Sequence, residues 1–397
     1  MSAYLNALGL VCALGHDQAD IARRLFAGDC SGMLSQAGWV PARSLPVGAV
    51  ATPLPELPLA EHHSRNNQLL YSAALQIEPA IREAIERHGA HRLGVVLGTS
   101  TSGIAEASDG IAHYLREQRF PEGYRYAQQE LSAPANFLAD WLQLSGPAYV
   151  ISTACTSSAR ALMSARRLLD LGLCDAVLCG GVDSLCGLTL NGFSALEAVS
   201  DTRCNPFSRN RAGINIGEGA ALFLMTREAN LQGPRIALLG AGASSDAHHI
   251  SAPEPTGKGA LQAMGKALDN AGLAPAQIDY LNLHGTATVH NDAMEALAVH
   301  SLFGAGLPCS SSKPMTGHTL GAAGALEAAF CWLALSGHNP QGLLPPHAWD
   351  GQQDPGLPAL ALVDGNQRLA LERARYLMSN SFAFGGNNVS LILGDAP

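Results

Sequence analysis

A cysteine and two histidines in separate segments have the residue types that catalysis by a thiol nucleophile requires. Cys155 lies in Thr-Ala-Cys-Thr-Ser-Ser-Ala (153–159), after a strand-like run at 149–152 and before an apolar series with helical spacing. At such a strand-to-helix turn, unpaired N–H groups and the positive end of the helix dipole favour a thiolate and can bind an oxyanion. Taken alone, a cysteine in an apolar, Gly/Ala-rich segment is more often a buried structural residue.

Both histidine segments favour the catalytic interpretation of Cys155. An apolar strand pattern ends at His284, in Leu-Asn-Leu-His-Gly-Thr-Ala-Thr (281–288), where small residues leave room for a substrate and hydroxyls can hold it. His318 ends Lys-Pro-Met-Thr-Gly-His (313–318), on a loop that opens a helix of small residues. A lone histidine on such a loop is usually structural. The three residues together form a Cys/His/His set that few structural explanations would produce.

Strand-like and helix-like runs alternate along the chain in two successive series. The strand-like runs are 92–99, 148–153 and 176–181, then 235–240, 279–284, 375–379 and 389–394. Prominent helical runs between them are 67–88, 157–171, 257–271 and 322–335. This alternation predicts an α/β fold with mainly parallel sheets covered by helices. A boundary near residue 230 predicts two domains, 1–230 with the cysteine and 231–397 with both histidines, so the site would lie between them.

The chain resembles a β-ketoacyl-acyl-carrier-protein synthase of the elongating type, with the Cys-His-His triad of the thiolase-like condensing enzymes. The resemblance runs nearly end to end, from Leu-Gly-Leu-Val-Cys-Ala-Leu-Gly (8–15) through Gly-Gly-Val-Asp-Ser (180–184) to Asn-Ser-Phe-Ala-Phe-Gly-Gly (380–386). It implies a five-layer α/β/α/β/α sandwich of two similar halves. Within the family, the segments 63–70 and 205–214 resemble the branch that builds aryl polyene pigments in Gram-negative bacteria.

The resemblance implies catalytic roles for the motif residues. Cys155 would carry the acyl chain as a thioester. His284 and His318 would each donate from Nε2–H to the enolate oxygen that forms when a malonyl thioester loses carbon dioxide. Lys313 would orient His318 and would pair with the carboxylate of Glu295, since each charge would be costly to bury alone.

The resemblance also implies binding residues around the triad. The backbone N–H groups of Cys155 and Phe384 would hold the oxyanion at the acyl carbonyl, and Phe384 would act as a gate for acyl chains. Thr286 and Thr288 would hold the phosphopantetheine arm of the substrate. Phe382 lies in the same glycine-flanked loop, with plain core packing as its alternative role. The acyl pocket is expected at 99–103, including Thr101, and, across a dimer interface, at 133–138, including Phe137.

Composition excludes several other classes of protein. A chain of 397 residues with 47% hydrophobic and 14% charged residues can bury a large core. Nine cysteines form no paired framework, which predicts reduced thiols and a cytoplasmic location. Neither cysteines nor histidines have metal-ligand spacing, so no metal is expected. No run approaches the roughly 18 apolar residues of a membrane span, and a net charge of −9 argues against nucleic-acid binding.

Acyl carrier protein is the partner that the resemblance implies, and it would bring the substrates on its phosphopantetheine; no intrinsic cofactor is expected. Because that partner is acidic and this chain has a net charge of −9, docking requires a local basic patch. Arg65, Arg203 and Arg209 are the candidates, although each arginine taken alone is more often an ordinary surface charge or a structural ion pair. The chain is also expected to dimerise, with a chain-length-factor-like homologue or with itself.

Three departures from the family pattern limit the analogy with fatty-acid elongation. Ser208 and Ala212 stand where fatty-acid elongating enzymes have aspartates, and Asn387 replaces a threonine. Several alternatives therefore stay open: an elongating synthase of primary metabolism, a silent chain-length-factor scaffold, and a thiolase or thioester hydrolase. The intact cysteine argues against the scaffold, and His318 stands where thiolases have a second cysteine.

Overall fold

The computed structural model describes residues 3–230 and 233–396. Its strands are β1 Ala3–Cys12, β2 Met33–Val40, β3 Arg43–Gly48, β4 Leu93–Gly98, β5 Ala148–Ile151, β6 Ala176–Asp183, β7 Gly219–Thr226, β8 Ile236–Ser245, β9 Tyr280–Asn282, β10 Pro308–Ser310, β11 Ala361–Leu362, β12 Tyr376–Phe382 and β13 Asn387–Asp395. Its α-helices are α1 Gln18–Phe26, α2 Arg65–Gln76, α3 Glu78–His88, α4 Ile104–Glu117, α5 Ala133–Leu142, α6 Ser157–Asp170, α7 Gly187–Ala195, α8 Lys258–Ala271, α9 Val289–Phe303, α10 Lys313–Thr316 and α11 Ala323–Leu335.

One strand pattern occurs twice. In the first half, β5, β4 and β6 run parallel, and β7 and then β1 continue the sheet antiparallel. In the second half, β10, β9 and β12 run parallel, and β13 and then β8 continue antiparallel. Within residues 3–230 and 233–396, the sheets of the two halves are joined where Ala3 and Tyr4 of β1 pair with Leu238 and Ala237 of β8, which gives one continuous order of eleven strands. This repeat supports the division into residues 1–230 and 231–397, whose boundary adjoins two residues outside the described ranges and stays a prediction.

Helices cover both faces of each sheet. α2 and α5 pack on the outer face of the first sheet, and α8 and α9 on the outer face of the second. α6 and α11 lie between the sheets, in an apolar cluster that contains Leu8 and Phe223 of one sheet and Leu377 and Leu391 of the other. All residues of α11 are buried, as a helix that is apolar on every side requires. The result is the predicted five-layer α/β/α/β/α order.

The helix predicted at 67–88 is two helices. α2 ends at Gln76 and α3 begins at Glu78, because Ile77 leaves the helical region with φ −120° and ψ 11°. Pro79 follows in the first turn of α3, where its missing N–H costs nothing. In the described part of the chain, none of the helices combines the length and apolarity that crossing a membrane requires.

Candidate active site

Cys155 lies on a tight turn between β5 and α6. Ala154, just before it, has a φ of +52°, in the left-handed region that residues with a Cβ seldom adopt. The turn brings α6 close to β4, since a Cβ on Gly98 would lie 2.2 Å from the backbone nitrogen of Ser158. Only glycine fits at that position. The thiol is held below the surface, with 6% of the residue exposed.

Burial decides the protonation state of Cys155. It raises the pKa of the thiol to about 12, against the opposing effects of the Lys313 charge and of the backbone N–H groups of Phe384 and Cys155. The resting group is therefore a thiol. The thiolate that the helix N-terminus favours does not form at neutral pH, because loss of hydration outweighs the helix dipole.

His318 lies where it can take the proton of the thiol. Its Nε2 is 3.0 Å from the Cys155 sulfur. Burial, and then the charge of Lys313, hold the pKa of His318 well below its ordinary value. The imidazole is therefore neutral at physiological pH and can accept a proton while the sulfur attacks a carbonyl.

Lys313 contacts His284 directly and acts on His318 only through its charge, so the expectation of a hydrogen bond from Lys313 to His318 is corrected. Its Nζ donates to the backbone oxygen of His284 and lies 3.4 Å from Nδ1 of that ring. Because an ammonium group has only donors, Nδ1 must accept, and the ring proton of His284 is on Nε2. Burial first, and then the charges of Lys313 and His318, hold the pKa of His284 well below its ordinary value.

Lys313 pairs with Glu327 of α11, so the predicted pair with Glu295 is wrong. Both members of the Lys313–Glu327 pair are almost fully buried. Glu295 instead accepts the backbone N–H groups of His284 and Gly285, at 2.8 and 2.7 Å, and burial raises its pKa to about 7. The sequence does signal Glu327, because it is the one charged residue of α11, and a charge in a fully apolar helix needs a partner.

The sulfur and the two imidazoles converge on one point. The Cys155 sulfur and one ring nitrogen each of His284 and His318 lie within 4.8 Å of one another. The two rings are nearly perpendicular, with 5.3 Å between their centroids. A single substrate carbonyl can therefore contact the nucleophile and both rings.

A cavity of about 520 Å³ opens onto these atoms, a volume typical of small-molecule sites. Both halves of the chain line it, with Cys155 and Phe193 from the first half. From the second half, Thr286 and Thr288 line it, and their hydroxyl oxygens are 3.0 Å apart. Thr286 and Thr288 thus present hydroxyls to the cavity, and their role in holding the pantetheine arm stays a prediction.

Phe382, which ends β12, and Phe384, in the loop after it, line the cavity as well. Phe382 is buried, and its ring centroid is 6.1 Å from that of His284. Phe384 is only partly buried, and its ring lies 5.6 Å from that of Phe193 on α7. Because the N–H of Phe384 also acts on the Cys155 sulfur, movement of this loop would change both access to the thiol and the predicted oxyanion site.

The two predicted acyl-pocket residues lie outside this cavity. The hydroxyl of Thr101 donates to Asp183 at 2.8 Å, so it is committed to a structural bond. Phe137 is completely buried in its own chain, where it packs against Tyr71 and Trp141. Neither residue lines the cavity beside Cys155, and their part in an acyl pocket completed across a dimer interface stays a prediction.

Asp183, which the sequence analysis did not single out, ties the halves together beside His318. One carboxylate oxygen accepts four hydrogen bonds from residues 99–101, at 2.7 to 2.8 Å. The other accepts the backbone N–H groups of Gly321 and Ala322, just after His318, at 2.5 and 3.2 Å. An acidic residue that ends an apolar strand, as in Gly-Gly-Val-Asp-Ser, is the sequence signal for such a buried acceptor.

The three candidate docking arginines differ in availability. Arg65 pairs with Glu218, whose side chain is completely buried, so Arg65 balances an internal charge. Arg203 and Arg209 are exposed. In the part of the chain that the structure describes, the guanidinium of Arg209 bonds to the neutral side chain of Gln352, at 2.7 Å, and to no carboxylate. Arg203 and Arg209 are therefore the more open of the candidates, whereas Arg65, with 39% of its side chain exposed, already offsets the charge of Glu218.

The three departures from the family pattern have different surroundings. Ser208 donates to Asp350 at 2.9 Å, so a carboxylate from another segment stands beside the position of the lost aspartate. Ala212 lines the cavity. Asn387 accepts a hydrogen bond from Arg160 at 3.0 Å.

A duplicated α/β half, five layers and a Cys-His-His site at the junction define the thiolase-like class of proteins. Models of the β-ketoacyl synthase N-terminal and C-terminal domains match residues 74–231 and 236–348. The 3-oxoacyl-[acyl-carrier-protein] synthase 2 of Staphylococcus aureus is 31% identical over 83% of this chain and 84% of its own length. The chain belongs to the β-ketoacyl synthase family, which confirms the predicted family and fold.

Two further relatives extend the comparison. The mitochondrial 3-oxoacyl-[acyl-carrier-protein] synthase of Arabidopsis thaliana is 38% identical over 265 residues. The matched stretch covers 62% of this chain and 56% of that relative's length. The ketosynthase ApeO of Xenorhabdus doucetiae, solved in complex with its chain length factor ApeC, is 48% identical. Its structure matches with a TM-score of 0.93 over 100% of this chain and 98% of ApeO.

Proposed function

We propose that this chain is a catalytic ketosynthase that joins an acyl group held on Cys155 to a malonyl group by decarboxylative condensation. The observation that carries the proposal is the 3.0 Å distance between the Cys155 sulfur and His318 Nε2, with His284 in reach of the same substrate atom. A silent chain-length-factor subunit would have no use for a buried thiol in contact with a neutral imidazole.

Acylation is the first half-reaction. The Cys155 sulfur attacks the thioester carbonyl of an acyl carrier protein while the thiol proton passes to His318 Nε2. The backbone N–H groups of Cys155 and Phe384 hold the oxyanion. When the tetrahedral intermediate collapses, the carrier's pantetheine sulfur leaves and takes the proton from His318, so the products are acyl-enzyme and free carrier thiol.

Condensation is the second half-reaction. A malonyl carrier loses carbon dioxide, and the electron pair of the broken C–C bond forms an enolate whose oxygen accepts from His284 Nε2–H. His318 adds a second donor in the tautomer that is protonated at Nε2. The enolate carbon attacks the acyl carbonyl, and the Cys155 sulfur leaves as a thiolate. It takes up one proton from solvent to return to the thiol, which balances the loss of carbon dioxide from a carboxylate. The product is a β-ketoacyl carrier two carbons longer.

We further propose a partner and a pathway. The 48% identity to a ketosynthase solved with its chain length factor supports a heterodimer with such a homologue, the alternative being a homodimer. The segments 63–70 and 205–214 favour aryl polyene chains over fatty-acid elongation in primary metabolism. Acyl carrier protein would dock near Arg203 and Arg209. Because every one of the nine cysteines is free, the proposed location is the reducing cytoplasm.

Intact-mass analysis of carrier protein tests the proposal. The chain, alone and with a co-purifying partner, is incubated with malonyl carrier and a panel of saturated and aryl-conjugated acyl carriers. We expect a two-carbon ketoacyl extension that disappears in Cys155→Ala, because the acyl-enzyme can no longer form. Extension of saturated chains alone would replace the aryl polyene role with fatty-acid elongation. Failure to acylate Cys155 under all conditions would favour the silent scaffold.

A further inference from the structure

The two N–H groups of the predicted oxyanion site come from different halves of the chain. The N–H of Cys155 belongs to the start of α6, whereas Phe384 belongs to the loop between β12 and β13. That loop contains Gly385 and Gly386, both with positive φ (82° and 79°), and its Gly385 N–H bonds only to Ile250 of another exposed loop. Something must therefore fix the loop relative to α6 if the two donors are to act on one oxyanion.

One side-chain hydrogen bond makes that connection. Nη2 of Arg160, in the first turn of α6, donates to Oδ1 of Asn387 at 3.0 Å. Arg160 is joined rigidly to the nucleophile turn, since its backbone N–H donates to Thr156 at 2.9 Å. Asn387 closes the loop, since its backbone oxygen accepts the N–H of Ala383 at 2.7 Å. Among the described residues, the other first-half side chains at residues 383–387 are the Cys155 sulfur, on which the Phe384 N–H acts, and the Phe193 ring, which contacts the Phe384 ring. Neither is a hydrogen bond that anchors the far end of the loop.

Arg160 has no competing ionic role. Across the described ranges no carboxylate lies within salt-bridge distance of its guanidinium, and its Nε is buried without a hydrogen-bond partner. Asn387 is also one of the three departures from the family pattern. A threonine hydroxyl, which is shorter by one atom, would not reach the same guanidinium nitrogen without movement of the backbone. The arginine and the asparagine therefore form a matched pair.

We propose that Arg160 and Asn387 are positioning residues that hold the Phe384 N–H in register with the Cys155 N–H. This inference rests on the proposed function, in which Cys155 holds the acyl chain as a thioester. Arg160 touches no reacting atom; it acts through the loop. The bond joins a charged donor to a neutral acceptor, and its loss would loosen the loop that lines the cavity beside the thiol.

Two measurements on Arg160→Met, Asn387→Leu and the double variant test the pair. The first is kcat and KM for condensation, with an expected fall in kcat of about five- to tenfold and KM within about twofold, because the lost contact acts on the transition state. The second is the rate of Cys155 alkylation by iodoacetamide, followed by peptide mass, with an expected rise of about threefold. Asn387→Asp keeps the acceptor and should restore both values. Arg23→Met, on an exposed helix face, is the matched control.

The double variant gives the decisive comparison. If the bond acts as proposed, the double variant behaves like either single variant, because each one already removes the same contact. Unchanged kcat and alkylation in both single variants, or independent effects that multiply, would overturn the inference. Alkylation needs no substrate, so it reports on the pair even if the chain extends no carrier. Loss of the proposed function would instead show as a wild-type chain that extends nothing.

Discussion

The two active-site histidines are held in opposite ways. The segment of His284 is fixed at its backbone by Glu295, and its Nδ1 faces Lys313, so its proton stays on Nε2. His318 has Nε2 on the Cys155 sulfur and, within the described residues, no protein partner for Nδ1. A ring locked in one tautomer suits a single task, donation to the enolate. A ring free at Nδ1 can change tautomer, which suits a group that first accepts a proton and later donates one.

Replacing each histidine by alanine is the largest test of this difference. His318→Ala should slow acylation of Cys155 by about 10²- to 10⁴-fold, because the proton acceptor is lost. His284→Ala should leave acylation within about threefold but lower condensation by at least about 10²-fold, because the fixed oxyanion donor is lost. Single-turnover acylation and steady-state elongation, both read by intact mass, separate the two steps.

Equal acylation rates in the two histidine variants would contradict this division of roles. His318 would then not be the proton acceptor, and the two rings would share one role. Both variants should unfold at the wild-type denaturant midpoint within a small margin, and a large shift in either would assign its kinetic effect to misfolding.

The next largest effect is expected from Lys313→Met, which acts on His284 more directly than on His318. The substitution removes the group facing Nδ1 and leaves Glu327 buried without a cation, so we expect a loss of about 3–5 kcal/mol in the free energy of unfolding. Burial already raises the pKa of Glu327 to about 7, and without Lys313 the pKa rises further. Near neutral pH the Glu327 carboxyl of the folded variant keeps its proton, whereas the same carboxyl in the unfolded chain has already released it. The stability of the variant therefore falls as pH rises through neutrality.

Urea unfolding at pH 6 and pH 8 checks this prediction. The destabilisation should be larger at pH 8, and Lys313→Met with Glu327→Met should recover stability without recovering condensation. Equal destabilisation at both pH values would mean that Glu327 is not the unpaired charge.

The sequence locates the chemistry better than it assigns the contacts. Cys155, His284 and His318 each end a recognisable strand or open a helix, and parallel topology brings such ends to one junction. The partner of Lys313 could not be derived in the same way, because Glu295 and Glu327 are both acidic residues on helices near a histidine segment. Which carboxylate reaches the ammonium depends on how α9 and α11 pack. The docking arginines differ for the same reason, since the buried Glu218 beside Arg65 is visible only in three dimensions.

The last prediction, with the smallest expected effect, concerns the protonation state of Cys155. It tests whether Cys155 and His318 are both uncharged at rest. The position of Cys155 at a helix N-terminus favours a thiolate, whereas burial raises the pKa of this thiol to about 12. Alkylation of Cys155 by iodoacetamide should therefore rise about tenfold per pH unit from pH 7 to pH 10 without a plateau, because the thiolate fraction grows throughout that range. A plateau with a midpoint below pH 8 would mean that the helix dipole outweighs burial. His318 would then be a donor to a standing thiolate, and the contrast with His284 would disappear.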